Sequence, residues 1–221
     1  MLAELQRLEQ LYLRKVNRSL RCFEEALSAL TQLQHLTLHS VTLKDPQVLR
    51  SIAGLRGLAL KLGGNRDLTF LPSLRNLRFL EIWGTRLLRD ISPLAACDQL
   101  RALDLEELPH VVLPDMSHAV SLTDVQLRSL PRLGGRLAGL AAAPRLRYLS
   151  VVGCKLTVAD VEALRGHPSL QGVWLPEFHR RGHDKERDPI LGLPRPPADR
   201  QLMRAAGVMG LPAHCGETYA S

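Results

Sequence analysis

Two histidines near the C-terminal end have a spacing that could bind a metal ion. His179 and His183 are four residues apart in the stretch HRRGH, so a helix would place both imidazoles on one face. Zinc proteases that use such a pair carry a glutamate directly after the first histidine, whereas this sequence has Arg180 there. Gly182 also disfavours a helix. We therefore predict a polar tail here and no metal site.

Glu81 and Asp104 are the carboxylates with the best placement for acid–base chemistry. Such a pair works when its surroundings push the two pKa values apart. Both residues fall on a predicted open sheet face, and nothing in the sequence indicates a pocket around them. The two glycines of KLGGN at 61–65 lack the G-x-x-x-x-G-K-[ST] spacing of a phosphate-binding loop. We predict no catalytic residue, no cofactor and a non-enzymatic protein.

The composition bounds the class of protein. The chain has 221 residues, enough for one or two domains. It is 45% hydrophobic but only 4% aromatic, and leucine is by far the most frequent of its apolar residues. No apolar run approaches the roughly 18 residues of a transmembrane helix, and the N-terminus does not resemble a signal peptide. We expect a cytoplasmic protein that does not bind membranes. Its four cysteines are far apart in sequence, which favours reduced structural thiols.

The charge is basic but scattered. Lys and Arg number 29 against 22 Asp and Glu, for a formal net charge of +7. A basic balance can indicate nucleic acid or another acidic partner. There is no long Lys/Arg run, so nucleic-acid binding is a weak alternative. It would use a basic rim formed by Arg56, Arg78, Arg101 and Arg147.

An internal repeat decides the fold class. Eight copies of the pattern L-x-x-[LV]-x-[LIV] follow one another at intervals of 22 to 25 residues. We number the repeat from its first leucine, so that position four is the central apolar residue. Position four is occupied by Leu11, Leu36, Leu58, Leu80, Leu103, Val125, Leu149 and Val173. The alternation of apolar residues at positions four and six suits a short strand with one buried face.

This pattern resembles the leucine-rich repeat family, whose consensus is L-x-x-L-x-L-x-x-N/C-x-L at 20 to 29 residues. The resemblance covers about Leu5 to Leu175. It implies an α/β fold, a right-handed horseshoe of about eight repeats with a parallel concave sheet. The DISPL stretch at 90–94 is similar to the internalin-like or SDS22-like bacterial subclass. The family's Asn at position nine is absent from every copy, so we expect less regular turns.

The return segments carry helix start signals. We predict caps at Ser19, Asp45 and Ser92, the last two followed by proline. Thr157 and Asp160 have the spacing of a capping box.

The concave face is the predicted binding surface. If positions four and six face the core, positions three, five and seven face the other side of the sheet, and we expect them to be exposed to solvent. Acidic residues from consecutive repeats meet aromatic residues there, which suits a protein or peptide partner with basic groups. The predicted partner-binding residues are Tyr12, Phe79, Glu81, Trp83, Asp104, Glu106, Asp124, Gln126, Arg128, Tyr148 and Trp174.

The two ends of the repeat array differ from its middle. We predict a solenoid over 1–177 and a charged, proline-rich tail over 178–221, with a short helix at 198–209. The first strand is preceded by only part of a repeat, and a solenoid end needs a cap. This suggests a homodimer or a longer parent chain at the N-terminal end. A second hypothesis follows, in which the chain is the sensing or autoinhibitory module of a larger ATPase receptor of the NACHT type.

Overall fold

The strand motifs form a single parallel sheet. The structure is a computed structural model, and it describes residues 6–15, 20–179 and 187–196. Eight strands lie side by side in chain order within these ranges. They are β1 (Gln10–Arg14), β2 (His35–His39), β3 (Gly57–Lys61), β4 (Phe79–Trp83), β5 (Ala102–Glu106), β6 (Asp124–Arg128), β7 (Tyr148–Val152) and β8 (Gly172–Trp174). This confirms the predicted α/β repeat solenoid.

The register of the strands equals the alignment of the repeats. Leu58 of β3 pairs with Leu80 of β4, and Leu80 pairs with Leu103 of β5. The same correspondence runs from β1 to β8. Residues at one repeat position therefore form a continuous row across the sheet, and we name each row by its position.

Rows four and six build the hydrophobic core. In β4 and β5 their side chains are Leu80, Ile82, Leu103 and Leu105, and all four are almost fully buried. They belong to one core cluster that runs through the repeats. Each buried leucine contributes roughly 1.5–3 kcal/mol relative to an exposed one. Because a single strand cannot bury these side chains alone, the stacking of neighbours stabilises every repeat.

Short helical pieces return the chain from one strand to the next. The α-helices are α1 (Leu20–Ser28), α2 (Leu137–Ala141) and α3 (Val158–Glu162), and 3₁₀ helices cover Pro46–Ser51, Leu71–Ser73, Ser92–Ala96 and Pro176–Phe178. They are short because a repeat of 22 to 25 residues leaves little length after its strand and turns. None of the helices in the described ranges is long and apolar enough to cross a membrane.

Three of the predicted helix caps fall on described residues. Thr157 and Asp160 form the predicted capping box at the start of α3. The Asp45 carboxylate accepts a hydrogen bond from the Gln47 N–H at 2.9 Å, as a cap should. Ser92 is not a cap, because it is already the first residue of its 3₁₀ helix and its N–H donates to Asp90 at 2.8 Å. Ser19 lies outside the described residues.

The turn after each strand is regular, and our expectation of irregular turns is wrong. Position eight has a positive φ in seven repeats: Lys15, Ser40, Leu62, Gly84, Glu107, Ser129 and Gly153 have φ between 49° and 66°. In the first six of these repeats its N–H continues the ladder by donating to the position-seven carbonyl of the next repeat, whereas the Gly153 N–H donates to the Glu177 carboxylate. The Leu62 N–H donates to Trp83 at 2.7 Å, and the Glu107 N–H donates to Arg128 at 3.0 Å. Backbone geometry thus supplies some of the bonds for which consensus repeats use Asn.

One asparagine does bridge two repeats, at position eleven rather than nine. The buried Asn65 side chain accepts from the Leu43 N–H at 3.0 Å and donates to the Val41 carbonyl at 3.2 Å. At position nine, the Cys154 thiol accepts from the Leu130 N–H at 3.4 Å. The Thr85 hydroxyl at the same position is buried and finds no partner among the described residues. Polar bridging is therefore uneven from repeat to repeat.

Two of the cysteines are structural thiols. Cys97 and Cys154 are buried and free. Burial raises the pKa of the Cys97 thiol to about 12, so the thiolate needed for oxidation is scarce at neutral pH. This agrees with the predicted role of these two residues. The side chains of Cys22 and Cys215 lie outside the described part of the chain.

The C-terminal end of the sheet is covered by residues 187–196. The Val173 N–H on the outer edge of β8 donates to the Pro194 carbonyl at 2.9 Å. Ile190, Leu191 and Leu193 pack against the core cluster. This segment protects an edge that would otherwise expose unpaired backbone groups. The predicted helix at 198–209 lies outside the described residues, as do residues 1–5.

Candidate functional site

The concave face consists of rows three, five and seven, on the side of the sheet away from the core. All eleven predicted binding residues lie on it, in three groups. Row three holds Phe79, Asp124 and Tyr148; row five holds Tyr12, Glu81, Asp104, Gln126 and Trp174; row seven holds Trp83, Glu106 and Arg128. The sheet brings together those of β4, β5 and β6, whereas Tyr12 and Trp174 lie near opposite ends.

Several of these side chains are buried, although we expected them to be exposed. Phe79, Glu81 and Asp124 are only 3%, 4% and 4% exposed. The expectation of solvent exposure is wrong for these three residues and for Asp104 and Gln126, which are also buried. Trp83 is partly buried, and Tyr12 is the exposed aromatic at 38%. The phenylalanine of β4 therefore lies on the concave side without being a free contact surface.

A buried ion pair joins two neighbouring strands on this face. The Lys61 ammonium lies 2.7 Å from the Glu81 carboxylate, and both side chains are 6% exposed. Burial raises the pKa of the Glu81 carboxyl, and the nearby Lys61 charge opposes that shift. The second carboxylate oxygen, Oε2, is buried without a hydrogen-bond partner among the described residues. Lys61 was not among the predicted site residues.

A second ion-pair cluster lies one strand further along. The Arg128 guanidinium is 2.9 Å from the Asp104 carboxylate and 2.9 Å from that of Glu106. Row five also places Gln126 opposite Asp104. The four carboxylates that we predicted as an acidic patch are thus partly neutralised by Lys61 and Arg128. The patch keeps an excess of acid over base on β3 to β6, since four carboxylates face two cations.

Asp124 is buried with one oxygen unsatisfied. Its Oδ2 accepts a hydrogen bond from the Thr123 hydroxyl at 2.5 Å. Its Oδ1 is buried and has no hydrogen-bond partner in the described part of the chain. Burial raises the pKa of the Asp124 carboxyl, against the opposing effects of Thr123 and the Arg147 charge. This side chain would gain from an added cationic or N–H donor.

Aromatic rings connect the N-terminal half of the face. The Tyr12 hydroxyl is 2.9 Å from Nδ1 of His39, and the rings of His39 and Trp83 are 6.1 Å apart, edge to face. Burial, followed by the Arg14 charge, lowers the pKa of His39. The indole Nε1 of Trp83 is buried without a partner among the described residues. Sequence reasoning missed His39, although its place in row seven beside Tyr12 was readable from the repeat alignment.

The C-terminal half of the face is shaped by arginines stacked on aromatic rings. The Arg195 guanidinium lies 4.0 Å from the centre of the Trp174 ring, and the His179 ring is 5.0 Å from it. The rim residue Arg147 lies over Tyr148 at 5.4 Å. Its guanidinium also donates to Gln171 at 2.9 Å. Arg195 was not predicted, because nothing in the repeat pattern connects it to β8.

The geometry suits binding better than it suits chemistry. Three of the four carboxylates pair with cations, Asp124 accepts from the Thr123 hydroxyl, and no histidine or cysteine lies against them in the contacts described above. Within residues 6–15, 20–179 and 187–196, no group of three or more His, Cys, Asp or Glu side chains could hold a metal ion. The second histidine of HRRGH, His183, lies outside these ranges. What the face offers is a set of buried polar atoms, half-buried rings and a residual negative charge.

Comparison with known proteins finds solved structures of similar fold. No protein-family model matches the chain, and no curated protein sequence matches it. The leucine-rich repeat domain of the type III effector XopL is 24% identical, with a TM-score of 0.57 over 79% of this chain and 63% of that chain. The internalin InlF from Listeria monocytogenes is 20% identical, with a TM-score of 0.53 over 79% and 56% of the two chains.

A third similar structure is a peptide receptor. The plant peptide hormone receptor RGFR1, solved in complex with RGF2, is 16% identical, with a TM-score of 0.52 over 68% of this chain and 25% of that chain. The chain therefore spans less than two thirds of the length of each of these structures, and their likeness concerns the fold. The repeat pattern, the in-register parallel ladder and these neighbours together show that the chain is a leucine-rich repeat solenoid, with the fold of that family.

Proposed function

We propose that the chain is a non-enzymatic scaffold that binds a protein or peptide through its concave face. The observation that carries the proposal is the set of buried polar atoms without partners on this face. Oε2 of Glu81, Nε1 of Trp83 and Oδ1 of Asp124 are all buried and unsatisfied among the described residues. Native proteins rarely leave such atoms unpaired, because each costs about 1–3 kcal/mol. A bound polypeptide could supply the missing donors and acceptor.

The charge of the face suggests the chemistry of the partner. The chain as a whole carries +7, yet β3 to β6 present four carboxylates to two cations on the concave side. A partner with basic side chains would meet attraction there, and its lysines or arginines could donate to Asp124. The neighbour RGFR1, solved with RGF2, supports the peptide class of ligand. The comparisons favour neither the ATPase-receptor module nor the nucleic-acid binder.

The test is capture of a partner by purified protein from native lysate, compared across matched variants. Trp83→Ala removes the half-buried ring and its unsatisfied N–H, and Asp124→Asn removes the unsatisfied carboxylate charge. We avoid Glu81→Lys, because it would place a second ammonium against Lys61. Leu87→Ala is the matched control, because Leu87 is 47% exposed and lies in a loop outside the strands.

The proposal expects one identified partner to be captured by the wild type and by Leu87→Ala, with at least about tenfold less captured by the concave-face variants. Each contact of this kind is worth roughly 1.4 kcal/mol or more, which corresponds to tenfold in affinity. Thermal melts followed by circular dichroism should stay within a few degrees of the wild type. Equal capture by all four proteins would place the binding surface elsewhere.

A further inference from the structure

The end of the described chain leads onto the concave face. Pro194 lies beside the edge of β8, where its carbonyl accepts from the Val173 N–H. Two residues later the chain is above the face, because a Cβ on Gly172 would lie 3.4 Å from the Pro196 Cα. Between them, Arg195 stacks on Trp174 at 4.0 Å. The path from 194 to 196 therefore runs from the sheet edge over row three and row five of β8.

Gly172 is what makes this path available. It is the row-three residue of β8, and a Cβ there would also lie 2.9 Å from the Pro194 carbonyl oxygen. Any other residue would therefore push the segment away from the face. The next row-three residues along the sheet are Tyr148 and Asp124. A chain continuing from Pro196 in this direction meets the unsatisfied Asp124 carboxylate.

We propose that residues 197–221 bind the concave face of the same chain, with Arg200 and Arg204 donating to Asp124 and the neighbouring carboxylates. This inference rests on the proposed function only in that both place a bound polypeptide on the concave face. Arg200 and Arg204 are the only lysines or arginines in those 25 residues. Asp124 lies two strands from β8, about 10 Å away at the usual strand spacing. Four extended residues span about 13 Å, so Arg200 can reach it.

Three features of the face fit this occupant. Oδ1 of Asp124 is buried and lacks a donor among the described residues. The face has an excess of carboxylates, which favours arginines from a segment already tethered beside them. Tethering gives the segment a high effective concentration without any further contact. A protein or peptide ligand would then have to displace residues 197–221, which makes the segment an intrachain competitor.

The first test is limited proteolysis of the full-length purified protein with trypsin. Cleavage after Arg200 and Arg204 is followed by mass spectrometry, which separates it from cleavage elsewhere. Asp124→Asn should raise the initial rate at these two sites by at least about fivefold. The control Asp98→Asn removes an exposed carboxylate outside the strands and should leave the rate unchanged. Equal rates in the wild type and both variants would overturn the proposal.

A second variant leaves the solenoid sequence untouched, so it separates release of the segment from unfolding. Arg200→Gln combined with Arg204→Gln should raise carbodiimide labelling of Asp124 at least about threefold, with labelling of Asp98 unchanged. Unchanged labelling of Asp124 would overturn the proposal even if Asp124→Asn had increased cleavage. Protection that grows with protein concentration would assign the segment to a second copy and would also overturn it. Both tests use the purified protein without a partner. A negative result in either one would therefore leave the proposed function to be judged by the capture experiment.

Discussion

The two faces of the sheet share their strands but follow different rules. Towards the core, rows four and six consist of aliphatic side chains. In row four these side chains are buried in every repeat from β2 to β8. On the concave side, each row changes from repeat to repeat, and some of its charged groups are paired between neighbouring strands while other polar atoms are left without a partner among the described residues. The core rows therefore determine the fold, and the concave rows are free to carry specificity. The difference shows why the repeat pattern identifies the fold and says little about function.

The largest expected effect breaks a core row. Leu103→Asp places a carboxylate in a fully apolar layer and removes a packed leucine, which together should cost more than about 5 kcal/mol. This exceeds or equals the total stability of many domains. We expect loss of the cooperative melt, measured by circular dichroism. Each repeat contacts its neighbours, so the damage should spread from β5 to β4 and β6.

The matched variant puts the same carboxylate on the other face. Ser150 lies in row five of β7 and is partly exposed. Ser150→Asp should change the free energy of unfolding by less than about 1 kcal/mol, as surface substitutions usually do. If the two aspartates destabilised the protein equally, the distinction between the two faces would not hold.

The next effect removes one partner of the buried ion pair. Lys61→Met should destabilise the protein by about 3–5 kcal/mol at neutral pH, because the Glu81 charge then stays buried without its counter-ion. Adding Glu81→Leu should recover most of that loss, since a packed apolar pair avoids burying charge. Urea unfolding of both variants measures this. Equal stability of the single and double variants would mean that the isolated charge costs little.

The pH dependence of Lys61→Met follows from the same pair. Burial already raises the pKa of Glu81 in the wild type, and loss of Lys61 removes the main opposing effect. Between the ordinary glutamate pKa and the raised one, the folded variant then holds a proton that the unfolded chain has released. Its stability should therefore fall as the pH rises from the ordinary glutamate pKa through the raised one. Unfolding at pH 5 and pH 7.5 should show the larger deficit at pH 7.5.

A smaller effect is expected where the concave face is more open. The side chain of Arg128 is 26% exposed, and those of Asp104 and Glu106 are 13% and 28% exposed. Water screens these pairs more than it screens Lys61 and Glu81, so Arg128→Ala should cost only about 1 kcal/mol. Added salt should reduce this cost. A loss of stability as large as that of Lys61→Met would show that the exposure of an ion pair on the concave face does not determine its contribution to stability.

The core rows were predictable from sequence because they depend on one repeated property. An aliphatic residue every second position, recurring at a fixed interval, was enough to predict the strands, their order and their register. The pair of Lys61 and Glu81 was not predictable in this way. Their rows were known, but which cation reaches which carboxylate depends on rotamers and burial. The path of Arg195 over Trp174 depends on a segment that belongs to no repeat.

The turns show the same limit at the level of the backbone. Position eight has a positive φ in seven of the eight repeats, yet only Gly84 and Gly153 among these seven residues are the expected glycine. Lysine, serine, leucine and glutamate occupy the other positions, so residue type does not reveal the conformation. The neighbouring strands impose it, because the position-eight N–H must reach the next carbonyl. Asn65 escaped notice because it lies two residues beyond the consensus position.

The smallest prediction tests whether this conformation is strained. Glu107 is exposed and has φ of 52°, a region that glycine enters more readily than other residues. Glu107→Gly should relieve that cost but increase the entropy of the unfolded chain, leaving a net gain of about 0.5–1 kcal/mol. Lys155→Gly, at an exposed position with no positive φ, should show only the entropic loss. Urea midpoints moving in opposite directions would show that the repeated register, rather than residue preference, holds position eight in place; destabilisation by both would show that Glu107 is unstrained.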